Sequence, residues 1–125
     1  MKKKILLVED DMMLVDMYTL KFTEAGYEVI QATNGADGFE AAKTSKPDII
    51  LLDIILPQMD GFMVMEALKD DKKLKKIPVI FLTNLKQDED VEKGNKLGAI
   101  DYLVKSTLTP TQILERIDKF FKNKK

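Results

Sequence analysis

The chain of 125 residues contains no cysteine, no histidine and no tryptophan. The lack of cysteine excludes disulfide bonds and thiol chemistry, and the lack of histidine removes the commonest ligand of zinc and other transition metals. Any metal ion that the chain binds must therefore be held by oxygen atoms. No apolar run approaches the roughly 20 residues of a membrane-spanning helix, so the sequence predicts no membrane segment.

Length and charge restrict the domain organisation and the partners. A chain of this length fits one domain, so we expect a single domain over residues 1–125 with no output domain. The formal net charge is −1, with 20 basic and 21 acidic residues, and direct binding to nucleic acid is therefore not expected. The basic residues 2–4 precede an apolar stretch that Glu9 interrupts, which is too short for a signal peptide. The expected location is the cytoplasm.

Apolar runs alternate with segments of helical periodicity along the whole chain. The runs lie at residues 5–8, 27–32, 49–52, 79–82 and 100–104. The first, third and fourth are continuously apolar, as strands covered on both faces must be, whereas polar residues in the second and fifth mark edge strands. The pattern predicts an α/β fold, a flavodoxin-like doubly wound parallel sheet of five strands in the order 2-1-3-4-5 with five helices.

Residues that favour helix N-termini lie near the start of four of the predicted helices: Asp11 for the first, Asn34 or Gly35 for the second, Asp60 for the third and Thr109 for the last. Gln112 completes a capping box with Thr109. The segment 88–97 is the least convincing helix because Gly94 lies inside it, and we expect it to be mobile. The seven methionines are expected to fill the core.

Side chains able to carry chemistry follow four of the predicted strands. They are Glu9, Asp10 and Asp11 after the first, Asp53 after the third, Thr83 after the fourth and Lys105 after the fifth. Because ligands bind beyond the carboxyl ends of the strands in such a sheet, we expect these side chains to converge on one site. Clustered carboxylates need a cation, and their oxygen atoms suit magnesium (Mg2+). The set matches the needs of phosphoryl transfer to a carboxylate.

In that chemistry Asp53 is the candidate nucleophile. Mg2+ and the Lys105 ammonium would neutralise the phosphoryl oxygens, and the Thr83 hydroxyl would donate a hydrogen bond to one of them. Each residue taken alone has a simpler interpretation, since an acidic residue after a strand is often a helix cap, as we expect of Asp11. Their coincidence at four strand ends is what favours a functional site.

With these residues in place, the chain resembles the receiver domain of two-component response regulators, including single-domain chemotaxis regulators. The resemblance spans essentially the whole chain and rests on Val8-Glu9-Asp10-Asp11, Asp53, Leu56-Pro57, Met59-Asp60-Gly61, Leu82-Thr83, Gly98-Ala99 and Asp101-Tyr102-Leu103-Val104-Lys105. It implies that Asp53 accepts a phosphoryl group from a histidine kinase or a phosphotransfer protein. It also implies that Mg2+ is held by Asp10, Asp53 and the backbone carbonyl of Ile55, and through water by Glu9.

The resemblance further implies that Thr83 and Tyr102 form a switch pair. In such domains the threonine moves toward the phosphoryl group and the aromatic side chain turns inward, which remodels the surface of the fourth helix, fifth strand and fifth helix for a downstream protein target. From periodicity alone, Tyr102 is an edge-strand aromatic packed against a helix. The module is expected to signal rather than to act as an enzyme, as a monomer or as a dimer formed on phosphorylation.

Two positions depart from the family pattern. Ser106 follows Lys105 where proline, often after a cis peptide, is usual, and Asn84 follows Thr83 where a small residue is common. A cis bond before Ser106 would cost about 3 kcal/mol relative to trans. The geometry of this loop and the lifetime of the phosphorylated state therefore stay open.

Three other functions compete with this interpretation. A pseudo-receiver would keep the fold and bind a partner without phosphorylation. A phosphatase of the haloacid dehalogenase type needs a second aspartate two residues after its nucleophile, where this chain has Ile55. Flavin binding is disfavoured because the acidic residues after the first strand would repel a phosphate group.

Overall fold

The structure, a computed structural model, describes residues 2–123. Its strands are β1 (Lys4–Val8), β2 (Glu28–Ala32), β3 (Ile49–Leu52), β4 (Val79–Thr83) and β5 (Asp101–Val104). Its helices are α1 (Met12–Glu24), α2 (Gly35–Ser45), α3 (Gly61–Asp70), α4 (Asp88–Lys96) and α5 (Pro110–Asn123). A short 3-10 helix, Lys105–Thr107, precedes α5.

The strands form one parallel sheet in the order β2-β1-β3-β4-β5, which confirms the predicted fold and both predicted edge strands. The register pairs Val8 with Leu52 across β1 and β3, and Thr83 with Val104 across β4 and β5. The strands therefore end close together at one edge of the sheet, and the residues that follow them share that edge.

Alternate residues of the central strands face two separate hydrophobic clusters, one on each side of the sheet. One cluster packs Leu6, Ile50 and Phe81 against α2 and α3. The other packs Leu7 and Leu51 against α1 and α5. Because each fully buried aliphatic side chain contributes about 1.5–3 kcal/mol, these layers provide the rigid platform for the loops at the strand ends.

The predicted helix starts are confirmed. The Asp11, Asn34 and Asp60 side chains each accept a hydrogen bond from a backbone N–H of the first turn. Thr109 and Gln112 form the reciprocal capping box, with distances of 2.8 Å and 3.1 Å. The weak fourth segment does form a helix, α4, and its expected mobility stays a prediction.

The expectation that the methionines fill the core is wrong for most of them. Only Met65 is fully buried among those that the structure describes, whereas four are exposed: Met12, Met13, Met17 and Met63. Met59 is partly buried, and Met1 lies outside the described residues. A methionine in an amphipathic helix follows the face it occupies, and α1 places three of these side chains toward solvent.

Within residues 2–123, no helix is long and apolar enough to span a membrane.

Candidate functional site

The site is built around Asp53, the first residue after β3. Its backbone N–H donates to the Val8 carbonyl at 3.0 Å, which ties it to the end of β1. Its side chain is 5% exposed, and Oδ1 accepts hydrogen bonds from the N–H groups of Ile54 at 2.7 Å and Ile55 at 3.3 Å. These two donors orient one carboxylate oxygen and leave Oδ2 directed to another partner.

Lys105 is that partner. Its Nζ lies 2.8 Å from Asp53 Oδ2 and 2.6 Å from Glu9 Oε1, and the lysine side chain is 10% exposed. Glu9 is buried, and its second oxygen accepts from the N–H of Asp11 at 3.1 Å. One ammonium therefore bridges two carboxylates that come from the ends of different strands.

Burial and hydrogen bonding act in opposite directions on the pKa of Glu9 and on that of Lys105. Burial raises the pKa of Glu9, with a further contribution from the charge of Asp53, and the bonds to Lys105 and Asp11 only partly offset it. Burial also opposes the charge on Lys105, but its hydrogen bonds to Asp53 and Glu9 outweigh that effect and raise its pKa. Lys105 is therefore held as an ammonium, whereas the surroundings of Glu9 disfavour its ionised form.

The carboxylates also fit a divalent cation. Oxygen atoms of Glu9, Asp10 and Asp53 lie within 4.8 Å of one another, with Asp10 exposed and the other two buried. A hard cation such as Mg2+ prefers oxygen ligands and usually retains several waters, so one open side is an advantage. When ionised, the three carboxylates carry more charge than the single ammonium of Lys105 neutralises.

The loop from Ile54 to Asp60 carries the carbonyl of Ile55, the backbone ligand implied by the family resemblance. Ile55 is 58% exposed, and the Gly61 N–H donates to the Ile54 carbonyl at 2.9 Å. A β-carbon on Gly61 would lie 2.2 Å from the Asp53 carbonyl oxygen, so only glycine lets α3 start this close to the nucleophile. Gln58 in this loop adopts a left-handed conformation with φ of 71°.

Thr83 ends β4 and is completely buried. Its Oγ1 accepts from the N–H of Leu85 at 3.3 Å. The Tyr102 hydroxyl donates to the carbonyl of Leu85 at 2.5 Å, and the ring packs against Phe81 with centroids 5.9 Å apart. Burial, with the charges of Asp90 and Asp53, raises the pKa of Tyr102 to about 12. A close approach to Gly94 bears out the expected packing of Tyr102 on a helix, here α4.

The two positions that depart from the family pattern are bonded to each other. Asn84 Oδ1 accepts from the N–H of Ser106 at 2.9 Å, which links the loop after β4 to the loop after β5. Residues 2–123 contain no cis peptide, so the bond between Lys105 and Ser106 is trans. The asparagine thus satisfies a donor that proline would not have.

The structure brings together the predicted residues Glu9, Asp10, Asp53 and Lys105, and it places Asp11 outside the cluster as the cap of α1. Sequence reasoning missed the role of Leu85, whose backbone links Thr83 to Tyr102. Any residue type offers a backbone N–H and carbonyl, so no side-chain pattern marks such a position.

Comparison with known proteins points in the same direction. The family model of the response regulator receiver domain matches residues 5–118. The chain is 41% identical over 102 residues to the DNA-binding dual master transcriptional regulator RpaA of Synechocystis, covering 82% of this chain and 42% of RpaA. It is 37% identical over 102 residues to protein PilH of Pseudomonas aeruginosa, covering 82% of this chain and 84% of PilH. Chemotaxis protein CheY4 of Vibrio cholerae superposes with a TM-score of 0.88 at 28% identity, covering 95% of this chain and 98% of that structure.

The chain spans less than half the length of RpaA but most of PilH and CheY4. Receiver domains are signalling modules rather than conventional enzymes, and they interact with histidine kinases or phosphotransfer proteins and with downstream targets. The extent of the family match and the identity to these relatives show that this chain belongs to the receiver domain family of two-component response regulators.

Proposed function

We propose that this chain is a phosphorylation-activated receiver in which Asp53 takes a phosphoryl group from the phosphohistidine of a histidine kinase or phosphotransfer protein. The observation that carries the proposal is the Lys105 ammonium, which lies 2.8 Å from Asp53 Oδ2 beside the oxygen cluster of Glu9 and Asp10. That arrangement provides an oriented nucleophile next to positive charge. We also propose the cytoplasm as its location.

The transfer is a substitution at phosphorus. Oδ2 of Asp53 forms a new O–P bond while the N–P bond to the donor imidazole breaks, and the released imidazole nitrogen takes up a proton from solvent. The two backbone donors on Oδ1 keep the carboxylate in place during the attack. Water later attacks the acyl phosphate and releases inorganic phosphate, which resets the switch.

Lys105 has a part before and after the transfer. Before it, the ammonium forms ion pairs with both Asp53 and Glu9. Afterwards it can follow the negative charge onto a phosphoryl oxygen, because a lysine stem is long and flexible. Glu9, Asp10, Asp53 and the Ile55 carbonyl would hold Mg2+. When bound, the ion supplies additional neutralisation of the phosphoryl oxygens.

Thr83 and Tyr102 provide the response. As Thr83 moves toward a phosphoryl oxygen, the 3.3 Å bond that its Oγ1 accepts from the Leu85 amide would be strained, which would shift the residue whose carbonyl anchors Tyr102. The tyrosine ring packs against α4, so its movement would alter the surface formed by α4, β5 and α5. That surface would contact the downstream protein target, either as a monomer or in a dimer formed on phosphorylation.

Exposed apolar residues follow the acidic residues of the site in the sequence and favour a protein as the phosphodonor. Met12 and Met13 follow the acidic residues after β1, and Ile55 lies two residues after Asp53, with exposed fractions of 53%, 83% and 58%. Exposed apolar residues grouped beside a polar site are typical of protein contact surfaces. A bound donor would cover them and exclude water from the reacting atoms.

The test is intact mass after incubation with Mg2+ and acetyl phosphate, for the parent and for Asp53→Asn. The proposal expects a phosphate adduct on the parent that requires Mg2+ and is absent from the variant. Asp60→Asn is the matched control, because it also removes a carboxylate but keeps the α3 cap. A phosphate adduct on Asp53→Asn would show that another residue accepts the phosphoryl group.

The pseudo-receiver is the second candidate, and the same experiment separates it. Its basis is the Asn84–Ser106 bond, a departure from the family pattern at the edge of the site. A folded parent that takes no phosphate from acetyl phosphate or from a phosphorylated histidine kinase would favour it. The phosphatase alternative has no structural support here, because Ile55 occupies the position of its second aspartate.

A further inference from the structure

The start of α2 lies against the loop that follows Asp53. A β-carbon on Gly35 would sit 2.0 Å from the carbonyl oxygen of Met59 and 2.9 Å from its Cβ. Contacts of a β-carbon below 3.0 Å are essentially never found, so the backbone of Met59 can occupy this place only because residue 35 has no side chain. Gly35 is buried and is the first residue of α2, directly after the Asn34 cap.

The other end of the same loop also packs closely against the backbone that follows β3. The Gly61 N–H bonds to the Ile54 carbonyl, and Gly61 itself lies against the Asp53 backbone. Between these two contacts the chain turns through Gln58, whose φ of 71° is costly for a residue with a β-carbon. A conformation of this kind persists only when its surroundings impose it, and the face of α2 at Gly35 supplies one side of those surroundings.

We propose that Gly35 is a positioning residue for the magnesium and phosphoryl site, because it sets the path of the loop 54–60 and hence the place of the Ile55 backbone. This inference rests on the proposed function and extends it to a residue of α2 that touches none of the reacting groups. Its physical basis is steric, since the Met59 peptide on one side and α2 on the other leave no room for a methyl group.

The size of the expected effect follows from the distances. With alanine at position 35, the Met59 carbonyl must retreat by about 1 Å to reach the shortest contact that proteins show. Displacements of about 1 Å in groups that position a reaction cost up to roughly 100-fold in rate. Loss of support around a metal ligand typically lowers metal affinity by about 10- to 100-fold. We expect Gly35→Ala to fall within these ranges for Mg2+ affinity and for phosphorylation by acetyl phosphate.

Gly38→Ala is the matched control. Gly38 is also buried in α2, and a β-carbon there would meet two methyl groups of Val8 at 3.0 Å, which lie in the hydrophobic core rather than in the loop. Both alanine variants crowd buried surfaces of α2. Only Gly35→Ala presses on the 54–60 loop, so a difference between the two variants reports on positioning rather than on folding.

The experiment compares both variants with the parent by heteronuclear NMR, first without metal and then during a Mg2+ titration. The amide resonances of Ile54, Ile55 and Met59 should shift in metal-free Gly35→Ala, and its Mg2+ affinity should fall at least tenfold, by about 1.4 kcal/mol. Gly38→Ala, which requires Val8 to yield by only a few tenths of an ångström, should stay much closer to the parent affinity than Gly35→Ala does. Equal affinity in parent and Gly35→Ala would overturn the inference.

Two further outcomes, an unfolded variant and a parent that binds no Mg2+, can be distinguished from each other. If Gly35→Ala is unfolded, the titration is repeated in trimethylamine N-oxide, which favours the compact state. A variant still unfolded there would assign Gly35 to fold stability alone and overturn the positioning role. A parent that binds no Mg2+ would contradict the proposed function instead. The loop shifts in metal-free Gly35→Ala would then remain as a purely structural effect, and the positioning role would fall with the site.

Discussion

Thr83 and Tyr102 are joined through the backbone of a single residue, Leu85. The Leu85 amide donates to Thr83 Oγ1 at 3.3 Å, and the Leu85 carbonyl accepts from the Tyr102 hydroxyl at 2.5 Å. The threonine is fully buried, whereas the tyrosine reaches the surface beside α4. The Leu85 backbone therefore connects Thr83 to the surface at Tyr102 without any further side chain.

This relationship predicts energetic coupling between the two hydroxyl groups. Thr83→Val replaces one hydroxyl of this path with a methyl group and Tyr102→Phe removes the other, and each should cost about 1 kcal/mol in the free energy of unfolding. In the double variant the costs should be non-additive by at least about 0.5 kcal/mol, because the bonds share Leu85. Urea denaturation of the four proteins measures the coupling.

Tyr27→Phe provides the control for that cycle. The Tyr27 hydroxyl donates to Asp118 at 2.5 Å, and Tyr27 directly precedes β2, at the amino end of the strand, whereas the site lies at the carboxyl ends. Combined with Thr83→Val, it should give additive costs within about 0.3–0.5 kcal/mol. Additivity in the Tyr102 cycle as well would show that Leu85 does not transmit the change.

A second prediction concerns the buried carboxylate of Glu9. Because burial raises its pKa above the ordinary value of 4.5, the folded protein binds this proton more tightly than the unfolded chain does. The stabilising contribution is therefore present below pH 4.5 and is lost as pH rises through the raised pKa. Glu9→Gln should stabilise the metal-free protein by about 1 kcal/mol near neutral pH and give no gain near pH 4.

Urea denaturation across this pH range, with the parent and Glu9→Gln compared at each point, provides the measurement. Asp11→Asn is a suitable control, because it removes a neighbouring exposed charge and keeps the cap of α1. It should show no comparable gain. A constant difference between parent and Glu9→Gln at all pH values would contradict a titrating origin. The gain in stability should be accompanied by weaker Mg2+ binding.

A third prediction follows from the position of Lys105 between two carboxylates. Lys105→Met keeps much of the side-chain volume but leaves Glu9 and Asp53 without their cation, which should cost about 3 kcal/mol in the absence of metal. Mg2+ should recover part of this loss, so the increase in melting temperature on adding Mg2+ should be larger for the variant than for the parent. Differential scanning calorimetry with and without Mg2+ measures both. An equal increase would show that the ammonium and the metal do not share these charges.

The sheet and the acidic site were predictable because they depend on local patterns. Continuous apolar runs mark β1, β3 and β4 as buried strands, and polar residues at their carboxyl ends must then meet at one edge. The bond between Asn84 and Ser106, the bridge from Lys105 to Glu9 and the approach of Gly35 to Met59 join residues 22 to 96 positions apart. Such contacts depend on how finished elements pack, which no local pattern encodes. The exposure of Met13 was also not predicted, because the residue type alone favours the core whereas the packing of α1 on the sheet decides which side chains are buried.

The last prediction concerns Asn84 as the acceptor for the Ser106 amide. Asn84→Ala should leave that N–H bonded only to solvent, so hydrogen exchange at Ser106 should accelerate, while Asn84→Asp retains an acceptor oxygen and should keep the protection. The amide of Ile100, which bonds to the Val79 carbonyl at 2.9 Å, serves as an internal reference that neither variant should change. Exchange followed by NMR in the metal-free protein resolves the residues individually. If Ser106 exchanges equally fast in all three proteins, Asn84 does not hold the loop after β5, and the family departures at positions 84 and 106 are independent of each other.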